Sequence, residues 1–185
     1  MKTILVCNQK GGVGKSLVAD EIAFSFERSG IPMSFYDLDA QGGTLHKTHE
    51  VDDAEVAVVD TPGALQEALA DWLKEADVVV IPTRTTSRDI EPLMRMRKAV
   101  FKHSRAKIVY VMNGWNRFKA SRDFMEWFRG LAGDQTVVTL PQSEAFVRAG
   151  AGEQSVVEYD RRGKAAKATL SMVKTVREIA GFPAE

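Results

Sequence analysis

Cysteine is almost absent from this 185-residue chain: Cys7 is the only one, so no internal disulfide can form. Its place at the end of an apolar run assigns it to core packing. Long apolar runs are missing as well. No stretch approaches the roughly 20 residues that span a bilayer, and Lys10 and Lys15 interrupt the N-terminal pattern that a secretion signal requires. The cytoplasm is the expected location. Internal repeats, low-complexity tracts and linkers are also lacking, which leaves residues 1–185 as one expected domain. Net charge is zero overall, yet residues 1–92 hold 8 basic and 16 acidic side chains, while residues 93–185 hold 17 and 9. The basic second half points to an anionic partner, nucleic acid or an acidic membrane surface. What is present is the composition of a soluble globular protein, 44% hydrophobic and 27% charged.

The most informative segment is Lys10-Gly11-Gly12-Val13-Gly14-Lys15-Ser16. An apolar run over residues 3–7 precedes it, and Leu17, Val18, Ile22, Ala23 and Phe26 follow at helical spacing. Strand, glycine loop and helix in that order form the context a phosphate-binding loop needs. Glycines let backbone N–H groups turn around a polyphosphate, and the first helical turn adds unpaired donors and the positive end of its dipole. Lys15 then faces the β- and γ-phosphates, and the Ser16 hydroxyl is placed for Mg²⁺. The common form, G-x-x-x-x-G-K-[ST], opens with glycine where this chain has Gln9, and a second lysine, Lys10, follows.

Alternation continues along the chain. Short apolar or β-branched runs at 3–7, 33–36, 56–59, 78–81, 108–112 and 136–140 read as buried strands. Helical patterns occupy 15–28, 64–75, 88–103, 121–131, 144–149 and 163–180. The fold expected is α/β, a P-loop NTPase whose mostly parallel twisted sheet is covered by helices on both faces, with ligands beyond the carboxyl ends of the strands. Those ends carry Asp37-Leu38-Asp39-Ala40-Gln41-Gly42 and Asp60-Thr61-Pro62-Gly63.

Lys-Gly-Gly-x-Gly-Lys-[Ser/Thr] is the deviant loop of the ParA/MinD group of ATPases, which this chain resembles over essentially its whole length. The resemblance implies an ATP-dependent homodimer in which Lys10 reaches the nucleotide of the other subunit. It also implies that Gly11, Gly12, Val13, Gly14, Lys15, Ser16 and Leu17 surround ATP, with Lys10, Lys15 and Asp39 as the catalytic set. Asp39 maps onto the residue that positions attacking water, and Ser16, Asp39 and Asp60 onto the Mg²⁺ site. Asn113 becomes a candidate for the adenine edge, since an amide offers a donor and an acceptor, and Pro141 belongs to the second wall of that pocket. Val156-Val157 resembles a short strand before a closing helix. The nitrogenase iron protein shares the loop but holds an iron–sulfur cluster through thiolates that this chain does not have.

Departures from the pattern are Ala40 in place of proline and a spacing of only 21 residues from Asp39 to Asp60. Residues 46–54 are too short for a strand–helix pair, so the sheet is expected to lack an edge unit. His46 and His49, spaced i,i+3 beside Glu50, read as a solvated loop, because no third or fourth ligand accompanies them.

Basic residues concentrate at Arg161, Arg162, Lys164, Lys167, Lys174 and Arg177, at Arg95, Arg97, Lys98, Lys102, Arg105 and Lys107, and at Arg117, Lys119 and Arg122. No recognition-helix pattern accompanies them. The resemblance to partition ATPases therefore implies non-specific phosphate contacts with DNA, centred on Arg161, Arg162, Lys164 and Lys167, nucleoid association and a ParB-like adaptor. Two other readings stay open. One is a MinD-like membrane-cycling positioning ATPase, which needs an amphipathic anchor; the other is a metabolic P-loop enzyme with no use for Lys10.

Overall fold

A computed structural model describes residues 1–63 and 67–184. Six parallel strands form one sheet in the order β2-β3-β1-β4-β5-β6. They are β1 (Lys2–Val6), β2 (Met33–Asp37), β3 (Val56–Asp60), β4 (Val78–Thr83), β5 (Lys107–Trp115) and β6 (Thr136–Pro141). The helices are α1 (Lys15–Arg28), α2 (Glu67–Glu75), α3 (Ser87–His103), α4 (Lys119–Ala132), α5 (Glu144–Ala151), α6 (Val156–Tyr159) and α7 (Lys164–Ala180). Residues 64–66, where the sequence pattern starts the second helix, lie outside the described residues.

Alternating side chains of each strand feed two cores. Ile4 and Val6 face α1 and α7, meeting Val18, Ile22, Phe26, Met172, Val173 and Val176. Leu5 and Cys7 face the opposite layer of α2, α3 and α4, with Leu73, Leu93, Met96 and Phe128. Both faces are covered, which is why β1, β3 and β4 read as continuous apolar runs. Each buried aliphatic side chain of this kind contributes about 1.5–3 kcal/mol. Cys7 is fully buried, and burial pushes its thiol far above the ordinary range, so it packs and does not react.

Two sequence expectations are corrected here. Val156 and Val157 are not strand-like: they form helix α6. The Ser155 hydroxyl caps that helix by accepting from Val157 N–H at 3.1 Å, while buried Glu21 of α1 accepts from the Ser155 hydroxyl at 2.6 Å and from Val156 N–H at 2.8 Å. The two valines pack with Ala149, Ala165 and Ala166. The segment between β2 and β3 supplies no strand or helix, so β2 is an edge, as the spacing implied. It is not simply solvated, however. It folds back along β2, where Phe35 and His49 exchange two backbone hydrogen bonds of 2.9 Å in an antiparallel bridge.

Because all six strands run the same way, their carboxyl ends converge on one side of the sheet. The glycine loop, Asp37, Asp60, Thr83, Asn113 and Pro141 are gathered there by topology alone.

Candidate functional site

Gly12 and Gly14 hold φ at 71° and 96°, the left-handed region that glycine enters without a Cβ penalty. Gly14 then starts α1, and no side chain caps that helix. Its first-turn N–H groups are thereby left for an anion. The loop is braced from outside: Asn113 Nδ2 donates to the Val13 carbonyl at 2.9 Å and Arg84 Nε to the Gly12 carbonyl at 3.1 Å. Asn8 ties the loop to β4, donating to the Pro82 carbonyl at 2.7 Å and accepting from Lys10 N–H at 3.2 Å. A Cβ at Gly14 would lie 2.1 Å from Asn113 Nδ2. A Cβ at Gly63, in the loop after β3, would come within 3.3 Å of the Gly11 nitrogen, so close backbone approach fixes both loops.

At the mouth of this loop the Ser16 hydroxyl donates to Asp60 Oδ2 at 2.7 Å. Asp60 is fully buried. Loss of hydration raises its carboxyl to about 6 against the lowering effects of the Ser16 hydrogen bond and the Lys15 charge, and Asp37 and Asp20 push the same way as burial. Its second oxygen, Oδ1, has no partner among the described residues. A buried carboxylate with one unsatisfied oxygen beside a hydroxyl fits Mg²⁺ whose remaining positions are filled by phosphate and water. No group of three or more His, Cys, Asp or Glu among the described residues forms a rival metal site.

The Asp39 loop leaves β2 beside this mouth. Leu38 N–H donates to the Asp60 carbonyl at 2.9 Å, and Asp37 accepts from Asp39 N–H at 3.0 Å and from the Thr44 hydroxyl at 2.5 Å. Asp39 uses its own carboxylate within the turn, accepting from Gln41 N–H at 3.0 Å. Further on, a Cβ at Gly43 would stand 3.3 Å from Ser16 Oγ, so the loop passes directly over the Ser16 hydroxyl.

The remaining sequence candidates fall into three groups. Lys15 is buried at the start of α1 with Ser16 and Leu17 beside it, and Asn113, two residues before the end of β5, and Pro141, the last residue of β6, lie near the carboxyl ends of neighbouring strands. Asn113 spends its amide nitrogen on the glycine loop. Lys10, which the resemblance directs at a second subunit, is held here by its own chain: Nζ lies 2.6 Å from Asp89 Oδ1 and 3.3 Å from the Arg88 carbonyl. Arg161, Arg162, Lys164 and Lys167 are exposed at the start of α7. Two cations counted with the basic clusters are structural instead. Arg177 is buried, donating to the Ser25 carbonyl and the Ser29 hydroxyl at 2.7 Å each with its guanidinium 5.0 Å from the Phe26 ring centre. Arg97 donates to the Leu131 carbonyl at 2.7 Å.

His46 departs most from its sequence reading. It is buried, not solvated, edge-on to Phe24 and stacked on Phe35. Its Nδ1 lies 2.7 Å from Asp20 Oδ1 and its Nε2 3.3 Å from Glu27 Oε1. Burial opposes protonation, but the Asp20 hydrogen bond and charge, with Glu27, outweigh it and raise the imidazole above its ordinary value.

Sequence reading also passed over Asn8, Asp20, Arg84 and Asp89. Thr86-x-x-Asp89 is a helix-start spacing, and in the structure the Thr86 hydroxyl donates to Asp89. That signal locates Asp89 at the head of α3 but not beside Lys10, 79 positions away.

A glycine loop bounded by two lysines at the carboxyl end of a central parallel strand, with a hydroxyl and a buried carboxylate at its mouth, defines a nucleoside-triphosphate site. The chain belongs to the CobQ/CobB/MinD/ParA nucleotide binding domain family, whose model matches residues 4–156. Nucleotide binding is the property that the family's description names. Protein IncC of Escherichia coli is 48% identical over 46 residues, which is 25% of this chain and 13% of IncC's length. Among solved structures, the ATP complex of McdA from Cyanothece superposes with a TM-score of 0.82 at 14% identity, covering 98% of this chain and 97% of McdA. The septum site-determining protein MinD of Pyrococcus horikoshii, solved with Mg-ADP, gives 0.74 at 16% identity, with 97% of each chain covered.

Proposed function

We propose that the chain is a partition ATPase of the ParA kind, which dimerises on ATP, binds DNA without sequence preference in that state, and is stimulated by a ParB-like adaptor. Lys15 and the loop amides hold the phosphates, and Ser16 and Asp60 hold Mg²⁺, which when bound neutralises charge developing on the phosphates. Asp39, once released from its own turn, orients the attacking water, and Lys10 ties the second subunit to the triphosphate. Asn113 and Pro141 border the base. The similarity to IncC supports the partition assignment.

The observation that carries the DNA part is the head of α7. Arg161, Arg162, Lys164 and Lys167 are all exposed, and no carboxylate pairs with them among the described residues. Phosphate contacts need only such cations, and two copies in a dimer add their affinities along one duplex. The apolar stripe of α7, by contrast, is committed: Met172, Val173, Val176 and Ala180 are buried on the sheet and cannot enter a bilayer without unfolding. Charge reversal at Arg161 and Arg162 tests the reading. The double variant should keep ATP affinity while its DNA affinity and salt slope both fall; wild-type DNA affinity with an unchanged slope excludes this surface. Co-sedimentation with ATP, liposomes against duplex DNA, separates the membrane alternative.

A further inference from the structure

We propose that Asp20 and His46 form a clamp that fixes the trailing end of the Asp39 loop on helix α1, making Asp20 a positioning residue for ATP turnover. The inference rests on the reading that Asp39 acts in hydrolysis, and it goes beyond that reading by assigning the loop's second anchor. The loop's leading end is held at the sheet by Asp37 and by the Asp60 carbonyl, as described above. Its tip, residues 40–43, is exposed. Its trailing end arrives at Asp20, which is almost completely buried and accepts four contacts. These are Leu45 N–H at 3.0 Å on Oδ1 and 2.9 Å on Oδ2, His46 N–H at 3.0 Å, and His46 Nδ1 at 2.7 Å.

Three of those contacts, from two N–H groups, grip the backbone itself, so they fix where the chain is and not only which way a side chain points. The imidazole adds a wedge. Set between Phe24 and Phe35, it cannot swing out without leaving the buried Asp20 carboxylate short of its imidazole partner, an arrangement that proteins avoid. α1 begins at Lys15, and Ser16 lies one turn before Asp20. The helix that presents the phosphate-binding lysine and the hydroxyl at its first turn therefore also holds the end of the loop that passes over them. With both ends tied, the distance from Asp39 to the phosphate site depends on the register of one helix. In this chain the clamp also does the work left undone by the short segment between β2 and β3, which contributes no strand or helix that could support the loop.

Small displacements of a water-orienting group cost turnover far more than binding, so the clamp acts on kcat and leaves ATP affinity alone. The test uses the whole chain, with single-turnover hydrolysis of Mg-ATP and separate measurement of ATP dissociation. Asp20→Asn keeps the volume but turns a donor toward Leu45 and His46 N–H. His46→Phe keeps the ring packing and removes the partner. Both should lower the hydrolysis rate about tenfold, as supporting-shell substitutions do, with ATP dissociation constants within about twofold of the parent. Asp39→Ala is the control. If it abolishes turnover while the folded Asp20→Asn chain hydrolyses at the parent rate, the clamp is wrong; if Asp39→Ala itself turns over normally, the reading of Asp39 fails instead. Hydrogen exchange of the unmodified protein decides the clamp independently and covers the case in which a variant does not fold. Leu45 and His46 amides should be protected to the level of α1, and exchange as fast as the exposed tip overturns the proposal.

Discussion

Lys10 and Asp89 form an ion pair of 2.6 Å within one chain, with the carboxylate buried and the ammonium one third exposed. Under the proposed function, in which Lys10 reaches another subunit's nucleotide, that cation has a competing anion at home. Asp89→Asn weakens that hold while its side-chain oxygen can still accept from Thr86. Dimerisation with a non-hydrolysable ATP analogue should then begin at several-fold lower nucleotide concentration, read by analytical ultracentrifugation. An unchanged or raised threshold contradicts the competition.

Gly14 tolerates no side chain, for two separable reasons. Its φ of 96° costs an L-residue about 1–2 kcal/mol, and a new Cβ would strike Asn113 Nδ2. Gly14→Ala should lose nucleotide binding and shift the urea midpoint downward. Adding Asn113→Ala should recover part of the stability by removing the clash, but not the backbone part. Full recovery in the double variant would show that the left-handed backbone carries no cost.

Asp60, the proposed Mg²⁺ ligand, is a buried carboxylate that is unfavourable when ionised on its own. Its carboxyl titrates near 6 in the folded chain and near 3.8 when unfolded, so its contribution to stability is present below pH 3.8 and is lost as pH rises through 6. At pH 7 in EDTA, Asp60→Asn should therefore raise stability by about 1–3 kcal/mol while losing Mg²⁺-dependent ATP hydrolysis. Denaturant titration with and without metal reads both effects, and a destabilised Asn variant in EDTA refutes the assignment.

His46 gives the opposite kind of group, a base whose folded value lies above its ordinary one. Its raised value means that the stabilisation from Asp20 and Glu27 is complete below pH 6.5 and disappears as pH rises through the folded value. The surroundings limit the charges involved: Asp20 and Glu27 come from α1, while Phe24 and Phe35 present only rings. Urea midpoints measured from pH 6 to 9 should fall for the parent chain and fall less for His46→Phe. Parallel slopes would remove the imidazolium from the account.

The fold was largely legible because its signals are local. The buried runs of β1, β3 and β4, the helical spacing behind Ser16 and the glycine loop each declare themselves within a dozen residues. Asp60 was legible for the same reason, ending an apolar strand. What the sequence hid was tertiary. Asp89 reaches Lys10 only because β4 lies beside β1, and His46 is buried only because the segment after β2 folds back on α1. A polar stretch with two histidines carries no mark that distinguishes that burial from solvation. Arg177 was misread for a related reason: an arginine at helical spacing reads as exposed until the facing carbonyls of α1 are known. Val156-Val157 shows a β-branched pair overruled by its caps, Ser155 and Glu21.

The central claim, that one subunit's lysine makes assembly depend on ATP, is tested most directly by light scattering of the parent chain and of Lys10→Ala with Mg²⁺ and a non-hydrolysable ATP analogue. The parent should move from 20.4 kDa to twice that mass only when nucleotide is present, and Lys10→Ala should bind nucleotide yet keep the mass of a single chain. A parent that stays single, or a Lys10→Ala variant that doubles with the parent's nucleotide dependence, would contradict it.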